Sequence, residues 1–158
     1  MKLGITGHRG LPPRVADRVR AELNEAISRY GASALVGVSC LADGPDTWFA
    51  QAVLAHGGRI EVVVPADEYR DGLPDWHHAA YDELMERASR VHRTGLADSD
   101  SHAHMEGSKL LVGMVDELLA VWDGLPARGY GGTADVVAYA KDVNVATRVL
   151  WPVGARRD

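Results

Sequence analysis

Two rhythms of apolar and polar residues alternate along the chain. Short apolar runs at 2–6, 34–38, 59–64 and 118–122 have the length and composition of strands covered on both faces. Between the early runs, apolar residues recur at helical spacing. From Arg14 to Tyr30 they fall at Val15, Val19, Leu23, Ala26, Ile27 and Tyr30, with Asp17, Arg18, Arg20, Glu22 and Glu25 mostly on other faces. Pro12 and Pro13 stop the first strand and pre-set the helix entry. Pro45 opens a second helix, expected to run through Ala55 with Trp48, Phe49, Ala52 and Val53 inward and to end at Gly57-Gly58. This β-α-β-α-β series with short links implies a parallel sheet and right-handed crossovers.

The middle of the chain is less regular. Residues 66–75 are polar and turn-rich, 76–88 read as a helix with Trp76, Ala80 and Leu84 inward, and 90–94 read as a short, polar strand. A loop covers 95–104, a helix about 103–115, and a strand 118–122. A glycine-rich turn leads to a helix from Thr133 to about Lys141 and a last strand at 146–151. No repeat and no linker interrupts the pattern. The expectation is one Rossmann-like, doubly wound α/β domain over 1–153, its mainly parallel sheet flanked by helices on both faces, with a frayed tail at 154–158.

Composition narrows the function classes. With 17 Lys and Arg against 22 Asp and Glu, the formal charge is −5 and no basic stripe is visible, so no nucleic-acid partner is expected. The single Cys40 excludes an intramolecular disulfide and a cysteine-based zinc cluster. The chain starts directly in a strand pattern, and no apolar run approaches membrane-spanning length, so neither a signal peptide nor a membrane partner is expected and a cytoplasmic location is.

Polar loops follow the strands: Gly7-His8-Arg9, 39–44, 67–70, 94–104 and 123–135. The opposite turns, 31–33, 56–58 and 142–144, are bland. In open α/β sheets ligands bind at the carboxyl ends of strands, where the strand order reverses. In the loop after 118–122, Gly129, Gly131 and Gly132 leave room for close approach and Thr133 is a good N-cap. Such a helix start suits a phosphate. His8 and Arg9 leave the first strand beside the expected switch point, and Arg9 suits either a phosphate or a neighbouring carboxylate. Asp43 can cap the second helix or hold ribose, and Asp123 suits a hydroxyl. Asp135 has either a ligand role or one in steadying its helix dipole.

Other chemistries fit less well. His102 and His104, or His77 and His78, lack a third zinc ligand, so no metal is expected. There is no nucleophile elbow, and Gly4, Gly7 and Gly10 do not form the dinucleotide fingerprint, so no resident cofactor is expected.

Five pieces in register resemble the SLOG superfamily of Rossmann-like nucleotide-binding domains, nearest its YpsA-like branch. They are Gly4-Ile5-Thr6-Gly7-His8-Arg9, the stretches 42–50, 106–116 and 120–124, and Gly131-Gly132-Thr133-Ala134-Asp135-Val136-Val137. The resemblance implies a nucleotide-type small molecule, a nucleoside monophosphate or ADP-ribose-like, over the Gly-Gly-Thr loop. It also implies a homodimer or higher homo-oligomer. Two related groups are enzymes, the LOG-type phosphoribohydrolases and the nucleoside deoxyribosyltransferases. Both carry a glutamate three residues after the threonine, where this chain has Val136. The leading expectation is therefore a nucleotide-binding or sensing domain using Gly7, His8, Arg9, Asp43, Asp123, Gly129, Gly131, Gly132 and Thr133, with 98–104 as a lid. The alternative is an N-glycosidase releasing a base from a nucleoside 5′-monophosphate, with Asp135 and Glu106 as its carboxylates.

Overall fold

The computed structural model describes residues 1–157. Six strands alternate with five α-helices: β1 (Lys2–Gly7), α1 (Pro13–Ser28), β2 (Val36–Ser39), α2 (Pro45–Ala55), β3 (Arg59–Val64), α3 (His78–Arg87), β4 (Arg90–Arg93), α4 (Ser101–Val112), β5 (Glu117–Val121), α5 (Thr133–Asp142) and β6 (Ala146–Val149). All pairings are parallel, in the order β4-β3-β2-β1-β5-β6. The expected Rossmann-like α/β architecture is thus present. Winding runs outward from β1 through β4 on one side and through β5 and β6 on the other. The order reverses between β1 and β5.

Why these segments are strands follows from their burial. Leu3 and Ile5, Val36 and Val38, Ile60 through Val64, and Leu118 through Val121 form the centre of the core, while β4 and β6 at the edges carry the polar residues Arg90, His92, Arg93 and Arg148. Glu61 is the exception in the interior. Burial pushes its carboxyl up, but His92 Nε2 at 2.7 Å and Lys2 Nζ at 3.2 Å outweigh this and hold it below its usual value. The helices form two layers. Gly4 and Gly7 of β1 face opposite sides: a Cβ on Gly4 would meet Leu111 of α4 at 2.8 Å, and one on Gly7 would meet Pro45 of α2 at 2.8 Å. Glycine at these positions lets α4 and α2 sit close against the end of β1.

The structure departs from the periodicity in places. Trp76 is 75% exposed, and the inward residues of that segment are His77, Tyr81 and Leu84. A 3₁₀ turn at Asp75–His77 precedes α3, and the inward positions move by one residue, from Trp76 and Ala80 to His77 and Tyr81, while Leu84 is inward as expected. Trp48 is only half-buried, with the Arg20 guanidinium 5.1 Å from its ring centre. The fourth helix starts earlier than expected because the Asp100 side chain accepts the Ala103 N–H at 2.8 Å, an N-cap that the first turn needs. His102 and His104 therefore lie on a helix, and of the 98–104 stretch only 98–100 is loop.

Near the end of the chain, Trp151 Nε1 donates to Ala155 O at 3.1 Å, and the Ala155 N–H donates to Pro152 O at 3.1 Å. This fold-back carries Arg157 to the carboxyl edge of the sheet. Of the tail expected to fray, Asp158 lies outside the described residues. No described helix is long and apolar enough to cross a membrane.

Candidate functional site

A cleft of about 280 Å³ opens at the carboxyl ends of the central strands, at the β1/β5 switch point. Gly7, His8 and Arg9 line it from β1, Cys40, Ala42 and Asp46 from the β2–α2 connection, and Pro65 and Tyr69 from beyond β3. His104, Ser108 and Leu111 face it from one side of α4, with Gly129, Gly131, Gly132, Thr133 and Val136 opposite. Arg128 and Arg157 stand at the same cleft.

The glycine turn has a defined build. Gly131 has φ +85°, in the left-handed region, and a Cβ there would lie 3.1 Å from Ser101 O, so a side chain is disfavoured on both counts. Gly132, not Thr133, is the N-cap of α5, and Thr133 is its buried first residue. Asp135 turns back so that Oδ2 accepts the Gly131 N–H at 2.8 Å. Gly132 N–H donates to Gly129 O, and the Asp135 and Val136 amides donate to Gly132 O. The amides of Thr133 and Ala134 are left without an acceptor among the described residues. That is the arrangement that receives an anion at a helix N-terminus.

At the β1 end, His8 is 5% exposed, and its Nε2 lies 3.1 Å from Asp123 N and 3.2 Å from Asp123 Oδ1. Both contacts cannot be hydrogen bonds of one neutral ring nitrogen. Burial, and after it Arg157, lowers the pKa of His8, so the ring is neutral and Nε2 accepts the Asp123 N–H. Trp151 meets the ring edge-on at 5.7 Å. Burial works to raise the Asp123 carboxyl, but the Leu125 N–H at 3.0 Å and the Arg157 charge favour the ionised form, and the pKa lies below its ordinary value. His8 and Asp123 thus tie the end of β1 to the end of β5. Arg9 binds Asp43 with Nη2 2.6 Å and Nε 2.9 Å from Oδ1, and its side chain remains 46% exposed beside the cleft.

The β2–α2 connection is held from several sides. Leu41 takes φ 59°, unusual for a branched residue, and its carbonyl accepts from His77 Nε2 at 2.9 Å. The Ser39 hydroxyl donates to Asp46 O at 2.9 Å, and the Thr47 hydroxyl donates to Ala42 O at 2.7 Å. Gly44, with φ 95°, caps α2 without a side-chain bond from Asp43, whose carboxylate is taken by Arg9. These ties present Asp46, in the first turn of α2, to the cleft. Burial is the main influence on its carboxyl and pushes the pKa up to about 7, against the opposing pull of the Ala42 N–H and the Arg9 charge. Cys40 and Tyr69 are raised by burial and stay neutral, whereas burial, and after it Arg9, lowers the pKa of His104.

Of the residues singled out from sequence, Gly7, His8, Arg9, Gly129, Gly131, Gly132 and Thr133 meet at the cleft. Asp43, Asp123 and Asp135 do not line it; they hold Arg9, Leu125 N–H and Gly131 N–H in place. Glu106 is also absent from the lining. It follows His104 by two residues, about 200° around α4 from the face that meets the cleft. Val136 lines the cleft where the resembling enzymes carry glutamate. Sequence reading missed Asp46, Tyr69, Ser108 and Arg157. Only Asp46 had a local signal, an acid one residue beyond the Gly44-Pro45 helix opening at a strand-end loop. The histidines weighed as ligands have other uses: His78 Nε2 bonds Arg70 O at 2.8 Å, and His104 Nε2 lies 2.8 Å from Ser99 Oγ.

Neither a family model nor a curated protein sequence matches the chain. Solved structures do. DNA processing protein A from Helicobacter pylori, described for its single-stranded DNA binding mode, superposes with a TM-score of 0.69 at 14% identity, over 98% of this chain and 67% of that one. DNA processing protein A (DprA) from Streptococcus pneumoniae gives 0.68 at 17% identity, over 97% of this chain and 51% of that one, so this chain spans about half of its length. The molybdenum cofactor carrier protein from Chlamydomonas reinhardtii gives 0.59 at 16% identity, over 94% and 74%. At these identities the likeness is one of fold: the chain has the Rossmann-like α/β architecture that these proteins share.

Proposed function

We propose that the protein is a SLOG-type domain that binds a nucleotide or nucleotide-derived organic phosphate, the phosphate resting on the Gly131-Gly132-Thr133 turn. One observation carries this reading. Thr133, whose amide has no acceptor among the described residues, lines the same cleft as Arg9, Arg128 and Arg157, at the strand-order switch point. Arg9 is pre-oriented by Asp43 and presents a fork that suits phosphate oxygens. At about 280 Å³ the cleft is at the small end of ligand pockets, which run from roughly 300 Å³ upward, so a mononucleotide is favoured over a dinucleotide. The formal charge of −5 favours a small anion held by local cations over a long nucleic acid.

The glycosidase alternative is less favoured. Its nominated carboxylates are engaged or turned away: Asp135 serves the Gly131 N–H, and Glu106 is not at the cleft. Base release from nucleoside monophosphates, followed by chromatography, addresses it directly.

Thermal shift with the four common nucleoside monophosphates, ADP-ribose, NAD and a single-stranded oligonucleotide tests the binding reading. A ligand at about 100 times its Kd adds roughly 2.7 kcal/mol to native stability. Stabilisation by a mononucleotide is expected. No shift from any of the small ligands, or a shift from the oligonucleotide alone, overturns it.

A further inference from the structure

We propose that Asp46 is the acid that meets the ligand: in its protonated form it donates a hydrogen bond to an acceptor on an anionic ligand, such as a ring nitrogen or carbonyl of a nucleobase, so that binding takes up a proton. This rests on the nucleotide reading above and names the group that would read the base.

Asp46 is the one carboxyl among the residues lining the cleft. Asp43, Asp123 and Asp135 do not line it, and each has one oxygen engaged, by Arg9, the Leu125 N–H and the Gly131 N–H respectively. The left-handed Leu41, the Ser39 and Thr47 hydroxyls and buried His77 fix the connection that presents Asp46. A carboxyl that lines the cleft from so firmly held a backbone suits a ligand contact.

The charges decide which protonation state a ligand favours. Around the cleft stand Arg9 beyond β1, Cys40 and Asp43 beyond β2, Tyr69 beyond β3, His104 on α4, Arg128 beyond β5 and Arg157 from the tail. Of these, Arg9 favours the Asp46 carboxylate, while Asp43 and, above all, burial oppose it. Cys40 and Tyr69 remain neutral near pH 7, so they do not compete for the proton. With its carboxyl poised at about 7, a small added negative charge decides the outcome. A phosphate in the same cleft supplies that charge and drives Asp46 to its acid form, which has an O–H to give. The ligand's own second ionisation, near pH 6, acts in the opposite sense, since it strengthens binding as pH rises. The two effects are therefore separable by sign.

The test uses the tightest binder among AMP, GMP, CMP and UMP in titration calorimetry, with wild type and Asp46→Asn at pH 6, 7 and 8.5. Each point is repeated in two buffers of different ionisation enthalpy. Wild type is expected to take up a proton on binding and to lose several-fold in affinity between pH 7 and 8.5. Asp46→Asn should show neither effect, and it should bind inorganic phosphate at least as tightly as wild type, with the difference widening at pH 8.5. As a second readout, the Asp46 carboxyl carbon, titrated by NMR in wild type, should have a higher pKa with ligand than without. Proton uptake unchanged in Asp46→Asn, or a carboxyl pKa unmoved or lowered by ligand, overturns this inference and leaves the nucleotide reading standing. Failure of all four nucleotides to bind wild type overturns this inference, and failure of ADP-ribose and NAD as well overturns the nucleotide reading with it.

Discussion

Asp46→Asn should stabilise the free protein, and only at neutral and alkaline pH. The carboxyl is raised from 3.8 to about 7, chiefly by burial. A displacement of about three pH units corresponds to about 4 kcal/mol, at 1.36 kcal/mol per unit. Water reaches the group through the cleft, so about 2 kcal/mol is the working figure. The sign follows from proton counts. Below about pH 4 the carboxyl is protonated in the folded and the unfolded chain, and nothing is lost. Between about pH 4 and 7 the unfolded chain gives up a proton that the folded one retains, so stability falls as pH rises. Above about 7 the loss is complete and constant. Asparagine carries no charge to desolvate and keeps an oxygen for the Ala42 N–H. The variant's advantage should open between pH 4 and 7 and then level off, reaching roughly 4–8 °C in melting temperature for a chain of this size. Urea denaturation at pH 5, 6, 7 and 8 measures the gap. A gap of equal size at pH 5 and pH 8, or a variant less stable than wild type at pH 8, would refute the reasoning.

Other substitutions separate support of the site from contact with the ligand. Asp135→Ala removes the acceptor of the Gly131 N–H and a first-turn carboxylate of α5, so a loss of about 1 kcal/mol and several-fold weaker phosphate binding are expected. Asp135→Asn, which retains an oxygen, should keep most of both; loss of a base-release activity in this variant alone would instead indicate a chemical role. Gly131→Ala meets a positive φ and the Ser101 carbonyl at once, and should cost about 1–3 kcal/mol by urea midpoint, with phosphate binding impaired. Arg9→Gln leaves the buried Asp43 carboxylate without its charged partner, so stability should fall by about 1–3 kcal/mol in urea denaturation while phosphate affinity falls about tenfold by calorimetry. His8→Phe leaves the Asp123 N–H without its acceptor between the ends of β1 and β5, and is expected to lower stability by about 1–3 kcal/mol.

The sequence by itself determined the element order, the parallel sheet and the edge that carries the polar loops. Those properties are local: unbroken apolar runs make buried strands, 3.6-residue spacing makes the helices, and parallel strands put every post-strand loop at one edge. It also marked the Gly131-Gly132-Thr133 turn, since glycine beside a helix start is a local signal. Tertiary structure decided which loops meet. The strand order brings the loops after β1 and β5 together, so His8 touches Asp123, 115 residues away, and Arg9 finds Asp43, 34 residues away. Those contacts settle which acids are free for a ligand, which explains why Asp43, Asp123 and Asp135 became supports while Asp46 faces the cleft. Trp76 illustrates the same limit at the level of a helix: its phase was set by the preceding 3₁₀ turn and the packing of His77 and Tyr81, not by its own hydrophobicity. Composition and spacing specify each element, but the partner of a side chain depends on elements distant in sequence, and only packing assigns it.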